Sequence, residues 1–146
     1  IEAEVALICD FVYENEKVID IIPRYFAAFN DCSLRVQDGN KLSCKKNWGE
    51  KTKGISQDII EIDNFTEKGI ELGQFLKDAH KAKGILIAAG ATAYTDFGKK
   101  NFLKKGDEIF VYVYNARAHS FNDIMNDMCG VDTYLGQCSK LHQIVQ

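Results

Sequence analysis

Apolar residues along this chain fall into two kinds of pattern. Val5-Ala6-Leu7-Ile8-Cys9, ending at Asp10, is a short unbroken apolar run, as are Gly84 to Ala89 and Ile109 to Tyr114. Runs of that length read as strands covered on both faces. In between, Val18, Ile21, Ile22, Tyr25, Phe26 and Phe29 recur at helical spacing, so a helix with one buried face is predicted over 18–29. Pro23 kinks that helix or marks its first turn. Further helices are predicted over 66–83, 95–105, 120–128 and 140–145, a strand over 131–135, and an extended segment over 55–62.

Cys32 and Cys44 lie symmetrically about Asp38-Gly39, a strong turn signal, so a hairpin is predicted that sets the two sulfurs opposite each other. Strand, helix, strand, helix at this spacing argues for right-handed crossovers. The expected fold is therefore α/β: one domain over 1–146 with a three-layer, doubly wound, mainly parallel sheet, helices on both faces and one antiparallel edge hairpin. Such sheets bind ligands beyond the carboxyl ends of their strands. Those positions are Asp10, the Gly90–Asp96 loop and Asn115 to Arg117. Asp10 and Asp96 are equally able to cap the helices that follow.

Composition narrows the partners. The 146 residues carry a formal net charge of -3, with lysines in small groups and not in one stripe, so no nucleic-acid partner is expected. No apolar run approaches the ~20 residues that span a bilayer, so no membrane insertion is expected. Five cysteines without a C-x-x-C pair favour disulfides over zinc, with Cys32–Cys44 as the expected bridge. Burial of Cys9 and others as small apolar residues is the alternative. Cys129 and Cys138 flank the 131–135 strand, roughly 15 Å or more apart at ~3.3 Å per residue, too far to pair. Asn64-Phe65-Thr66 matches the glycosylation acceptor pattern at Asn64. An extracellular, secreted location is expected.

Motifs for catalysis are missing: the sequence has no phosphate loop, no nucleophile elbow and no His-Glu-x-x-His. His80, His119 and His142 fall on or beside predicted helices. Cys9 sits inside an apolar strand that disfavours a thiolate. Trp48, in a polar loop, is either a contact residue or a cover for the sheet edge. A binding module is expected rather than an enzyme.

Gly84 to Val145, with Ile85-Leu86-Ile87, then Thr95-Asp96, a helix to Lys105 and Gly106, and Glu108 to Val113, resembles the second half of a von Willebrand factor A domain. Val5 to Asp10 resembles that family's opening strand. The resemblance implies a metal-ion-dependent adhesion site on the upper rim and a protein or matrix ligand. Its opening Asp-x-Ser-x-Ser motif falls on Asp10, Val12 and Glu14, so both serines are missing. Thr66 and Asp96 match its later threonine and aspartate. The implied ligand-binding set is Asp10, Glu14, Thr66 and Asp96, with Trp48 beside it from the residue reading. With two of the five ligands replaced the site is altered or dead, so no cofactor is expected, and Mg²⁺ at Asp10, Thr66 and Asp96 is the alternative that the resemblance leaves open. The expected function is an extracellular protein-binding or adhesion module that recognises a protein or matrix ligand without an intact metal site. The alternative is a small α/β enzyme or nucleotide-binding domain that uses Asp10 and the Gly90–Asp96 loop.

Overall fold

The computed structural model describes residues 1–33, 45–46, 49, 52–62, 84–89, 95–131 and 135–146. Strands β1 (Ala3–Glu14) and β2 (Lys17–Asp31) form a long antiparallel hairpin. Its turn is two residues, Asn15 and Glu16, at φ of 48° and 63°. Two successive positive φ angles match the twist of the flanking strands, and Asn is among the residues that adopt them most readily.

Residues 18–29 are therefore strand, where a helix was expected. The apolar spacing fits a helix, but its members are Val, Ile, Tyr and Phe, whose side chains lose rotamer freedom in a helix and pack well on a pleated surface. The last five residues of β2, Ala27 to Asp31, are all buried, because the strand is covered on both faces at that end. Pro23 sits at an irregularity. Ile8 faces Tyr25 and Cys9 faces Pro23, which leaves Arg24 as the extra residue of a bulge, a position where proline's missing N–H is tolerated.

The expected mainly parallel, doubly wound sheet is overturned, and with it the architecture that the adhesion-domain resemblance implied. Every strand pairing among the described residues is antiparallel. β5 (Gly84–Ala89) pairs with β1, from Val5 opposite Ala89 to Asp10 opposite Gly84. On the other side of the hairpin, β3 (Lys53–Ile55) and β4 (Ile60–Glu61) both pair with β2, which completes a five-stranded sheet. These two short strands take up part of the extended segment expected over 55–62. Unbroken apolar runs occur wherever both sheet faces are covered, whatever covers them, and here a second sheet does part of that work.

That second sheet is a pair, β6 (Glu108–Tyr114) with β7 (Cys138–Ile144). Residues 140–145 were expected to be helical but lie mostly in β7, and neither Val131 nor Leu135 is in a strand. The two sheets meet at Ala28, around which Ile109, Val111 and Leu141 are buried, with Val113 and Val145 packed against them. Between β3 and β4 no strand continues along β2, and side-chain bonds to and from β7 fill in. The Ala28 N–H donates to Ser139 Oγ at 2.8 Å, and Ser56 Oγ donates to the Lys140 carbonyl at 2.6 Å.

Two helices complete the described elements. α1 (Asp96–Lys100) is capped by Thr95 and stops well short of the expected Lys105, since it has no buried residue to reward further turns. α2 (Phe121–Met128) matches the expected 120–128. Ser120 Oγ accepts from the Asp123 N–H while the Asp123 carboxylate accepts from the Ser120 N–H, a reciprocal capping box. Two expected elements, the Cys32–Cys44 hairpin and the 66–83 helix, lie mostly or wholly outside the described residues.

Candidate functional site

The start of β1 and the end of β2 meet at one end of the larger sheet, and strand register brings acids together there. Side chains two apart on a strand share a face, so Glu2 and Glu4 do. The Asp31 N–H donates to the Glu2 carbonyl at 3.0 Å, which continues the ladder and sets Asp31 beside Glu2. Lys53 of β3 is directly opposite Asp31. Residues opposite one another in an antiparallel pair project to the same face. Two cross-strand rows, Glu2–Asp31–Lys53 and Glu4–Phe29–Ile55, thus lie side by side.

In that setting, a ligand oxygen from each of Glu2, Glu4 and Asp31 lies within 4.8 Å of the others. Two ammoniums answer them. Lys46 Nζ is 2.5 Å from Asp31 Oδ2, 2.9 Å from Glu2 Oε2 and 4.0 Å from Glu4 Oε1, and Lys53 Nζ binds Asp31 Oδ1. Ser33 Oγ donates to Glu2 Oε1 at 2.7 Å. Asp31 is only 6% exposed, a burial that charged groups tolerate only when paired.

Titration follows from this packing. Burial is the largest single influence on Asp31 and by itself would raise its pKa. The hydrogen bonds from Lys46 and Lys53 together outweigh it and hold the carboxyl below its usual value. Glu4 goes the other way: burial raises it, and the more distant Lys46 offsets only part of that. Lys46 is held well above its ordinary value, first by Asp31 and then by Glu2.

Fully buried Asn30 braces the site. Its Oδ1 accepts from the Glu2 N–H at 3.2 Å, and its Nδ2 donates to Gln143 Oε1 of β7 at 2.8 Å and to Cys32 Sγ at 3.1 Å. Gly54 lets Gln143 reach over, since a Cβ there would clash with the Gln143 side-chain amide.

The residues singled out from sequence lie elsewhere. Asp10 faces solvent in mid-strand and pairs with Arg24 at 2.8 Å. Glu14 is exposed beside the hairpin turn, and Asp96 sits in the first turn of α1, bonded to Lys99 at 3.3 Å. Among the described residues, the group of acids close enough to share an ion is Glu2, Glu4 and Asp31, with none of the expected ligands in it. Thr66, Trp48, Asn64 and Cys44 lie outside the described residues. Cys32 carries a free thiol, as do Cys9, Cys129 and Cys138. Burial, then Asp10, pushes the Cys9 thiol up. His142 stacks on Phe110 at 4.4 Å and bonds Glu108, His119 bonds the Gly136 carbonyl, and His80 is outside the described residues. No described helix is long and apolar enough to cross a membrane.

A family model matches the chain over residues 1–71 and 70–145, so both arms of the acidic cluster, the β1–β2 hairpin and β3, fall inside the first match and β6–β7 inside the second. Its description is a family of unknown function, DUF5718. The chain belongs to this family. No curated protein and no solved structure matches this DUF5718 chain significantly.

The cluster left a trace in the sequence that the periodicity reading passed over. Glu2-x-Glu4 puts two acids on one face of a strand about to be buried, and Asn30-Asp31 ends another apolar run on polar residues. Buried acids at the ends of strands that pair are informative only once the pairing is known.

Proposed function

We propose that Glu2, Glu4 and Asp31 hold a hard divalent cation, Mg²⁺ or Mn²⁺, and that the protein uses it to bind and polarise a small anionic ligand rich in oxygen. The observation that carries this reading is the convergence of three carboxylate oxygens within 4.8 Å on a mostly buried face. Opposite ligands of a cation bound at about 2.1–2.5 Å are separated by about that span, and carboxylates are the donors such ions prefer. Lys46 holds the cation's place in the metal-free protein, and entry of the ion displaces its ammonium outward.

Charge then selects the ligand. Three carboxylates, a divalent ion and the Lys53 ammonium balance in charge, and the displaced Lys46 ammonium, still beside them, adds one positive charge that favours an anion completing the coordination sphere. A cation held by Glu2, Glu4 and Asp31 would supply Lewis-acid polarisation of a bound carbonyl or carboxylate oxygen, while Lys53, 38% exposed at its side chain, stays bonded to Asp31 Oδ1. The metal-dependent rim that the adhesion resemblance implied belongs to a parallel sheet that this fold does not build, so we place the cation site at the acidic cluster instead.

A second reading has its own observation. Lys46 already bonds two of the three acids, as a purely structural ionic clasp would. Calorimetric titration with Mn²⁺ separates the two. Saturable heat that disappears in Glu4→Gln and in Asp31→Asn supports a cation site. No heat and no thermal stabilisation by Mn²⁺ or Mg²⁺ leaves the clasp and overturns the proposal.

A further inference from the structure

A second concentration of charge sits apart from the acidic cluster and is built in the opposite way. Residues 95–108 are exposed without a break, and no residue of α1 is buried. Yet this stretch carries Phe97 at 75% exposure, Phe102 at 78% and Leu103 at 43%. Interleaved with them are Lys99, Lys100, Lys104 and Lys105. Lys99 bonds Asp96, and the other two acids of the stretch, Asp107 and Glu108, stand at its base, where Asp107 accepts from the Lys104 N–H and Glu108 bonds His142.

The segment is tethered, not loose. The Gly106 N–H donates to the Val145 carbonyl at 2.8 Å and the Val145 N–H to the Asp107 carbonyl at 2.9 Å, which fixes its base to the end of β7. The Asp107 carboxylate accepts from the Lys104 N–H at 2.8 Å and closes the turn, with Gly106 at a φ of +91° that a side chain would strain. A folded protein that holds two phenylalanines and a leucine in water on an anchored turn gains from a surface that can cover them.

We propose that this segment is a peripheral attachment site for an anionic phospholipid surface. Phe97, Phe102 and Leu103 enter the headgroup–acyl boundary while Lys100, Lys104 and Lys105 meet lipid phosphates, an arrangement in which apolar burial and charge attraction add. Two other occupants fit less well. Nucleic acid binding by stacking uses a basic groove that tracks the backbone, whereas this segment has no buried residue to wall a groove, and Leu103 offers no ring. A second copy meeting the same segment face to face would set lysines against lysines.

Flotation of the full chain with phosphatidylcholine vesicles, with and without phosphatidylserine, tests the proposal. The chain is expected to float with phosphatidylserine vesicles, less so as salt is raised, and not with phosphatidylcholine alone. Phe97→Ser with Phe102→Ser, and separately Lys100→Glu with Lys104→Glu, are each expected to weaken partition about ten-fold or more, with the circular dichroism spectrum unchanged. No phosphatidylserine-dependent flotation overturns the proposal, as does flotation that survives both double substitutions. So does a dimer, seen by sedimentation, that the phenylalanine substitutions dissolve, or binding to a single-stranded oligonucleotide in place of the vesicles.

Discussion

Lysine occurs in two settings in this molecule, and the contrast between them separates two uses of the same side chain. Lys46 and Lys53 lie against Asp31, whose burial makes their ammoniums part of the packing. In the 95–108 segment, Lys100, Lys104 and Lys105 stand in water among exposed rings. A charge of the first kind is felt at short range and tunes its neighbours' titration, because little water screens it. One of the second kind acts by summation over several charges and is weakened by salt. The acidic cluster is therefore built into the fold, while the exposed segment is free to serve a partner.

The largest expected effect comes from removing the centre of the cluster. Asp31→Asn leaves Lys46 and Lys53 without their shared partner and is expected to lower stability by about 3 kcal/mol, as breaking a buried pair does. Urea unfolding measures this, and a change under about 1 kcal/mol would place Asp31 with the surface pairs. Lys46→Met comes next and pulls stability and affinity apart. The metal-free protein is expected to lose about 1–3 kcal/mol. Added Mn²⁺ should then raise the melting temperature of the variant more than that of the parent, since no ammonium competes. An equal or smaller rise in the variant would count against displacement of Lys46.

Acid adds a graded test. Asp31 titrates below its ordinary value, so its pairing stabilises the fold above the unfolded carboxylate range near pH ~4 and is lost as pH falls through its lower folded value. Glu4 is raised, so its charge costs stability at neutral pH, and that cost is relieved as pH falls through its raised folded value. Metal-free stability should hold or rise slightly on mild acidification and then drop. Cation affinity should weaken earlier, as Glu4 takes up its proton. A cation affinity flat from pH 7 to the onset of unfolding would remove Glu4 from the ligand set. The smallest effect is expected on the other side of the comparison: Phe97→Ser should change stability by no more than about 0.5 kcal/mol, read by thermal melting.

Much of the local structure was legible in the sequence, and the global pairing was not. The strands at Val5 to Cys9, Gly84 to Ala89 and Ile109 to Tyr114 and the helix after Ser120 are where the pattern puts them. Each is decided by local chemistry: an unbroken apolar run, or a capping serine followed by Asp123. Residues 18–29 were misread because six apolar residues at helical spacing outweighed their β-branched and aromatic character. That single error removed the β1–β2 hairpin, although Asn15 in a two-residue turn announced it. With a helix in β2's place, the remaining strands could be joined only by crossovers, and antiparallel became parallel. The acidic cluster was lost by the same step, since Glu2 and Asp31 are neighbours only in the hairpin register.

The place of β1 in the sheet has a consequence for biosynthesis. β1 is hydrogen-bonded to β2 on one side and to β5 on the other, so it is an interior strand that is made before one of its partners. At ribosomal speeds of roughly 5–20 residues per second, the β1–β2 hairpin waits for several seconds before β5 emerges. During that wait, the backbone of Val5 to Asp10 is an open edge on an apolar strand, a ready template for pairing with another nascent chain. Yield during expression should therefore depend on how quickly residues 84–89 follow, and slow translation between the two strands would favour aggregation over folding.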